Sequence, residues 1–138
     1  MKSRSVIIAI LWACLSLSSG FAAESSDDVV PAAQSWLNQI DSGKYASSWK
    51  DASAYFRGAL TEKGWVDALN GARKPLGKLV SRNLSKSQTA QSLPGAPDGN
   101  YVVMQFETSF ENKKNAVETV TFMQEKDGMW KAAGYYIK

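Results

Sequence analysis

An α+β domain is what this sequence predicts, with three N-terminal helices packed on a curved four-stranded antiparallel sheet formed by the rest of the chain. Three observations predict it. Between Val29 and Ala72 apolar residues recur every three or four positions, the period of amphipathic helices. Between Tyr101 and Lys138 apolar and polar residues alternate, the period of half-buried strands. Helices grouped ahead of strands, rather than interleaved with them, give the layout in which helices cover one face of an antiparallel sheet.

The first helix is expected over residues 28–41. Asp27 or Asp28 can cap it, and Pro31 falls in its first turn, where a missing N–H costs little. Val29, Ala33, Trp36, Leu37 and Ile40 form its apolar stripe, and Gly43 is placed to end it in the left-handed conformation. A second helical stretch carries Tyr45, Trp49, Ala52, Phe56 and Leu60 on one face. Asp51 and Ser53 can break it into two pieces, because their side chains compete for backbone hydrogen bonds. Thr61 caps the third helix, which runs through Trp65, Leu69 and Ala72 until Pro75 stops it.

Residues 76–93 alternate Val80, Arg82, Leu84, Lys86 and Gln88 with Ser81, Asn83, Ser85 and Ser87, as in a long, polar edge strand. The turn formers Pro94-Gly95-Ala96-Pro97-Asp98-Gly99 connect it to a three-stranded meander. The meander reads as strands 101–110, 116–125 and 129–138, with a polar turn Glu111–Asn115 and a second turn at Lys126-Asp127-Gly128. Asp127-Gly128 suits a two-residue type I′ hairpin, which would pair Lys126 with Met129. A three- or five-residue loop around Asn112–Lys114 would set even-numbered residues opposite even-numbered ones. Glu107 and Glu118 then lie on opposite faces, and no carboxylate pair forms.

Met1–Ala22 has the parts of a secretory signal: Lys2 and Arg4, the apolar run Val6–Leu17, and small residues in Gly20-Phe21-Ala22. The run is shorter than the roughly 20 residues needed to span a bilayer. Cleavage is expected after Ala22, leaving residues 23–138 as a single periplasmic or secreted domain. Cys14 follows Leu11-Trp12-Ala13, but bulky Trp12 and the apolar sequence beyond the cysteine argue against a lipoprotein box.

The mature chain would have no cysteine, and the 138-residue sequence has no histidine at all. Thiol nucleophiles, Cys/His zinc sites and histidine-based triads are thereby excluded. The formal charge of +3 falls by two once Lys2 and Arg4 leave with the signal. No basic run exceeds two residues, so an electrostatic footprint for nucleic acid is absent. No phosphate-cradling glycine loop, nucleophile elbow or calcium-spaced acidic cluster occurs, and no cofactor or metal is expected.

Asp41-Ser42-Gly43-Lys44-Tyr45 through Trp49, together with Trp65, Arg73-Lys74-Pro75-Leu76-Gly77 and Arg82, resembles the front half of a secreted bacterial family, domain of unknown function 4019. Leu93 through Tyr101, Glu118-Thr119-Val120, Asp127-Gly128-Met129-Trp130 and Gly134-Tyr135-Tyr136 resemble its back half. The expected layout is also similar to the cystatin-like, or nuclear-transport-factor-2-like, superfamily. That resemblance implies a cone, often with a pocket between sheet and helices and often a dimer through the sheet. Its members include isomerases, dehydratases and binding modules, so the fold does not select a function.

Glu118 shares a strand face with Ala116, Val120 and Phe122, and by hairpin parity with Tyr135 and Ile137. A carboxylate on that apolar face needs a partner, for which Arg82 and Arg73 are the candidates. Trp49 and Trp65 could line a cavity beside them, although aromatic stripes at helical spacing are ordinarily core. Glu118, Arg82, Arg73, Trp49, Trp65 and Tyr135 are thus the candidate ligand-binding residues. On the opposite face, Met123, Trp130 and Tyr136 stand among threonines as a candidate interface for a homodimer or an envelope protein. The reading that follows is an exported, non-enzymatic module that binds a small molecule or envelope protein in a helix–sheet cavity or on the sheet face. The alternative is a cavity enzyme of isomerase or dehydratase type, with Glu118 as general base and Tyr135 or an arginine polarising a carbonyl.

Overall fold

A computed structural model of the protein describes residues 28–138. The expected signal segment, Cys14 within it, the polar lead and the alternative cap Asp27 lie outside the described residues. Within them the chain is α+β, with four helices followed by a four-stranded antiparallel open sheet in the order β1-β2-β3-β4.

Helix α1 is Val29–Asp41, and its buried residues Val29, Ala33, Trp36, Leu37 and Ile40 are the expected stripe. Asp28 occupies the cap position but makes no side-chain cap bond. Gly43, at φ +77°, closes the helix: its N–H reaches the Ile40 carbonyl at 3.0 Å, and that of Lys44 reaches Gln39 at 2.8 Å.

The second helical stretch is two helices, α2 (Tyr45–Lys50) and α3 (Ala54–Ala59), so the total is four rather than three. The break is the work of Ser53. Its hydroxyl accepts from Phe56 N–H at 3.1 Å to start α3, and its own N–H donates to Ala132 O of the sheet at 2.8 Å. Helix α4 (Glu62–Ala72) starts at Thr61, whose hydroxyl accepts from Gly64 N–H at 3.1 Å. It gives way at Pro75 to a 3₁₀ turn, Lys74–Leu76.

The strands are β1 (Leu79–Ala90), β2 (Tyr101–Phe110), β3 (Lys113–Gln124) and β4 (Trp130–Ile137). β1 is the polar edge strand expected, but two register shifts, between Leu79 and Ser81 and between Leu84 and Lys86, interrupt its alternation. Such irregularities bend an edge away from further pairing.

Both hairpins differ from expectation. The β2–β3 turn is only Glu111-Asn112, and β3 begins at Lys113. Between the pairs Phe110↔Lys113 and Thr108↔Ala116, β3 spends one residue more than β2, and even-numbered residues face each other beyond that point. The expected parity therefore holds, and Glu107 points away from Glu118.

The β3–β4 connection is a three-residue loop, not a two-residue I′ turn. Glu125, rather than Lys126, pairs with Met129: its N–H donates to the Met129 carbonyl at 2.8 Å, while its own carbonyl accepts from Gly128 N–H at 2.9 Å, and Gly128 takes the left-handed conformation, at φ +86°. Ala133 then sits as an extra residue between the pairs Phe122↔Ala132 and Thr121↔Gly134. The two departures cancel beyond the bulge, where Val120 faces Tyr135 and Glu118 faces Ile137 as expected. They do not cancel before it. Trp130 falls in line with Ala132 and packs against the core, so its assignment to the outer face is corrected.

The core lies between the helices and the inner face of the sheet. Trp36, Phe56, Trp65, Phe122 and Tyr135 meet there in edge-on and stacked pairs with centroids 5.0–6.5 Å apart, geometries that the aromatic quadrupole favours. Ser48, fully buried, serves both indoles: its hydroxyl accepts from Trp65 Nε1 and its carbonyl from Trp36 Nε1, each at 2.8 Å.

Candidate functional site

Beside this aromatic core lies a buried cluster of charges, to which every strand contributes one residue. Arg82 comes from β1, Thr108 from β2, Glu118 from β3 and Tyr135 from β4. Asp41 enters from the last position of α1, and Arg73 from just beyond α4.

The Arg82 guanidinium grips both carboxylates. Nε and Nη2 donate to Glu118 Oε1 and Oε2 at 2.7 and 3.2 Å, while Nη1 and Nη2 donate to Asp41 Oδ2 and Oδ1 at 2.7 and 3.0 Å. Arg73 Nη2 donates to Asp41 Oδ1 at 3.2 Å, and its Nη1 to the Gly77 carbonyl at 2.5 Å. Its guanidinium also lies 4.4 Å from the centre of the Phe110 ring. Two cations thus face two anions, the condition under which buried charges are tolerable.

Glu118 is fully enclosed, at 0% exposure. Besides Arg82, it accepts from the Thr108 hydroxyl at 2.7 Å on Oε1 and from the Tyr135 hydroxyl on Oε2. Four donors occupy the four acceptor positions of a carboxylate. Burial, and then the Glu118 charge and hydrogen bond, push the Tyr135 phenol well above its ordinary value, so it stays a donor. Burial alone would lower Arg82, but its bonds to Asp41 and Glu118 outweigh that and hold it charged, above its ordinary value.

Of the six residues expected around a cavity, four are brought together in the charged cluster and the two tryptophans belong to the apolar packing. Glu118, Arg82, Arg73 and Tyr135 bond one another directly or through Asp41. Trp65 is core, 2% exposed. Trp49 is half-buried, and its indole N–H donates to Leu60 O at 2.7 Å. Of the three expected interface residues, Met123 and Tyr136 remain on the outer sheet face, both half-buried.

Sequence reasoning missed Asp41 and Thr108 as members of the cluster. Asp41 did carry a signal: an acid at a helix C-terminus opposes the helix dipole and calls for cations nearby. Thr108 carried none beyond its even position in β2.

The segment after α4 is tied to the β2–β3 turn, which fixes Arg73 beneath the sheet. Asn112 N–H donates to Leu76 O at 2.9 Å, Glu111 N–H to Lys78 O at 2.9 Å, and Lys78 N–H to Glu111 Oε1 at 2.7 Å. On the outer face, near the same turn, β1, β2 and β3 together form an open depression of about 470 Å³. Among the described residues no group of three or more Cys, Asp or Glu side chains is placed to hold a metal ion, and no helix is long and apolar enough to cross a membrane.

No curated protein matches this chain. A family profile described as "Protein of unknown function (DUF4019)" matches residues 32–135, a span that contains the whole buried cluster from Asp41 to Tyr135. The chain belongs to that family.

Proposed function

We propose that this protein is an exported, non-enzymatic binding domain that takes its ligand on the outer face of the sheet, over a fold of the cystatin-like or nuclear-transport-factor-2-like type. The observation that carries this reading is the contrast between the two places where chemistry is possible. Inside, the carboxylate of Glu118 is sealed from solvent with every acceptor position used. Outside, the depression on β1–β3 is open and polar. Support for export comes from the signal-like residues at the N-terminus.

A general base needs a free lone pair within reach of a substrate proton. Glu118 offers neither, which weighs against the isomerase or dehydratase reading; its part is to join sheet and helices into one body. The outer face, with Met123 and Tyr136, is also where a second copy or an envelope protein would dock.

Amide mapping by ¹⁵N–¹H NMR, against a panel of small polar metabolites, cell-wall fragments and peptides, tests the proposal. Shifts confined to the outer-face amides of β1–β3 support it. Shifts centred on Trp49, Trp65 and Tyr135 would return the site to the interior and reopen the enzyme reading.

A further inference from the structure

The outer-face depression has a built appearance that follows from register. One row across the sheet is Asn83, Glu107 and Val117, paired strand to strand. The next row towards the turn is Ser81 and Ser109, with Lys114 and Asn115 together opposite Ser109 where β3 has its extra residue. The short serines leave the floor low, between the taller Glu107 and Lys114.

Both strands that flank β2 are irregular at this level. β1 shifts register between Leu79 and Ser81, and β3 between its pairings to Thr108 and Phe110. Bulges re-aim side chains and cluster at functional positions. Here two of them converge on one row.

The lining concentrates unspent hydrogen-bonding capacity in one place. A few polar side chains at other places on the outer sheet are paired, as Ser85 is with Gln105 O at 3.1 Å and Asn100 with Gln124 at 3.1 Å. Among the described residues no side-chain hydrogen bond or ion pair engages Ser81, Asn83, Glu107, Ser109, Lys114 or Asn115. Two amides, two hydroxyls, one carboxylate and one ammonium thus ring a single depression. Its volume, about 470 Å³, falls in the range of small-molecule sites, about 300–1,000 Å³.

Charges of both signs select the ligand. A neutral sugar would leave the carboxylate and the ammonium without a counter-charge, and a simple anion would be repelled by Glu107. One strand row lies about 7 Å from the next, which is also about the reach of two extended residues. We infer that the depression binds short zwitterionic peptides of about two or three residues. Their free amino group would meet Glu107 and their free carboxylate Lys114, with the intervening peptide groups on Asn115, Ser109 and Asn83. An asparagine amide suits that task, because it offers a donor and an acceptor side by side, as a peptide group does. This inference rests on the outer face being the binding surface.

Titration of the ¹⁵N-labelled protein with alanyl-alanine tests it, against two controls: the same dipeptide acetylated and amidated at its ends, and a neutral disaccharide. The free dipeptide is expected to shift the amides of Asn83, Glu107, Ser109 and Asn115 in a saturable way. The blocked peptide should bind at least tenfold more weakly. Glu107→Gln and Lys114→Met should each weaken the free dipeptide about tenfold, with the melting temperature unchanged because both side chains are exposed. Equal binding of the blocked peptide, or preference for the disaccharide, overturns the peptide assignment but leaves the outer-face reading standing. Silence of every outer-face amide towards these compounds and the wider panel overturns both.

Discussion

Glu118→Ala is the most informative single change, because Glu118 ties its own strand to the other three at one point. Without it Arg82 keeps only Asp41, the Tyr135 hydroxyl loses its acceptor, and the Thr108 hydroxyl is left with the long contact to Phe106 O at 3.5 Å. Removing one partner of a buried ion pair costs about 3–5 kcal/mol, which urea unfolding would read as a lower midpoint at unchanged slope. Tyr135→Phe removes one donor to a charged acceptor, and a loss of about 1.5–3 kcal/mol is expected. The same tyrosine gives a pH signature. Its folded-state pKa lies above the ordinary 10.0, so its contribution is fully present below pH 10 and is lost as the pH climbs from there towards the raised value. The difference in unfolding free energy between wild type and Tyr135→Phe should therefore shrink above pH 10; a constant difference would show that the phenol is not buried as described. At this scale the sequence was half legible. Glu118 on an apolar face demanded cations, and Arg82 and Arg73 were the available ones. Thr108 could not be singled out, because a threonine facing inward from a strand announces no partner.

At the scale of elements, most of the outcome rests on caps and glycines. Ser53 and Thr61 each start a helix by accepting one N–H bond, and Ser53→Ala or Thr61→Ala should each cost about 1 kcal/mol. Gly77 matters more. It sits at φ +76° and ψ −157°, and a Cβ there would lie 2.9 Å from Glu111 Oε1 and 3.0 Å from Glu111 Cβ. Gly77→Ala is expected to cost at least the roughly 1–3 kcal/mol of a disfavoured backbone conformation. It should also loosen Arg73, whose guanidinium bonds the Gly77 carbonyl; a thermal melt beside that of Gly43→Ala, where nothing crowds the site, separates the steric part from the backbone part. The helical stripes and the edge strand were readable from period alone. The hairpins were not, because a turn motif fixes neither loop length nor bulges. Ala133 is the clearest instance: no property of alanine marks it as the extra residue, yet it decides that Trp130 faces the core.

For the whole molecule, one cluster of buried side chains runs from Val29 through Trp65 to Tyr135 and includes residues of all four helices or their junctions and of three strands. Unfolding followed by tryptophan fluorescence and by far-ultraviolet circular dichroism should give coincident transitions, as for a single cooperative unit. Separate midpoints would mean that helices and sheet come apart independently. Export has its own measurement: the protein recovered from a bacterial periplasm should begin at Ala23, and mass spectrometry reads that directly. An intact Met1 would retire the signal peptide.

What the sequence determined by itself was the set of periods: helical stripes, strand alternation, the chain order of helices before strands, and the absence of histidine. These are local properties, set by the geometry of a helix or a strand and by which side chains are present. Tertiary structure alone decided that Asp41 at the end of α1 reaches Arg82 on the sheet, that Glu118 has no acceptor position to spare, and that Ser81, Glu107 and Lys114 share a depression. Each depends on register, and register is set by which loops and bulges let the whole core close, a condition no short stretch of sequence contains.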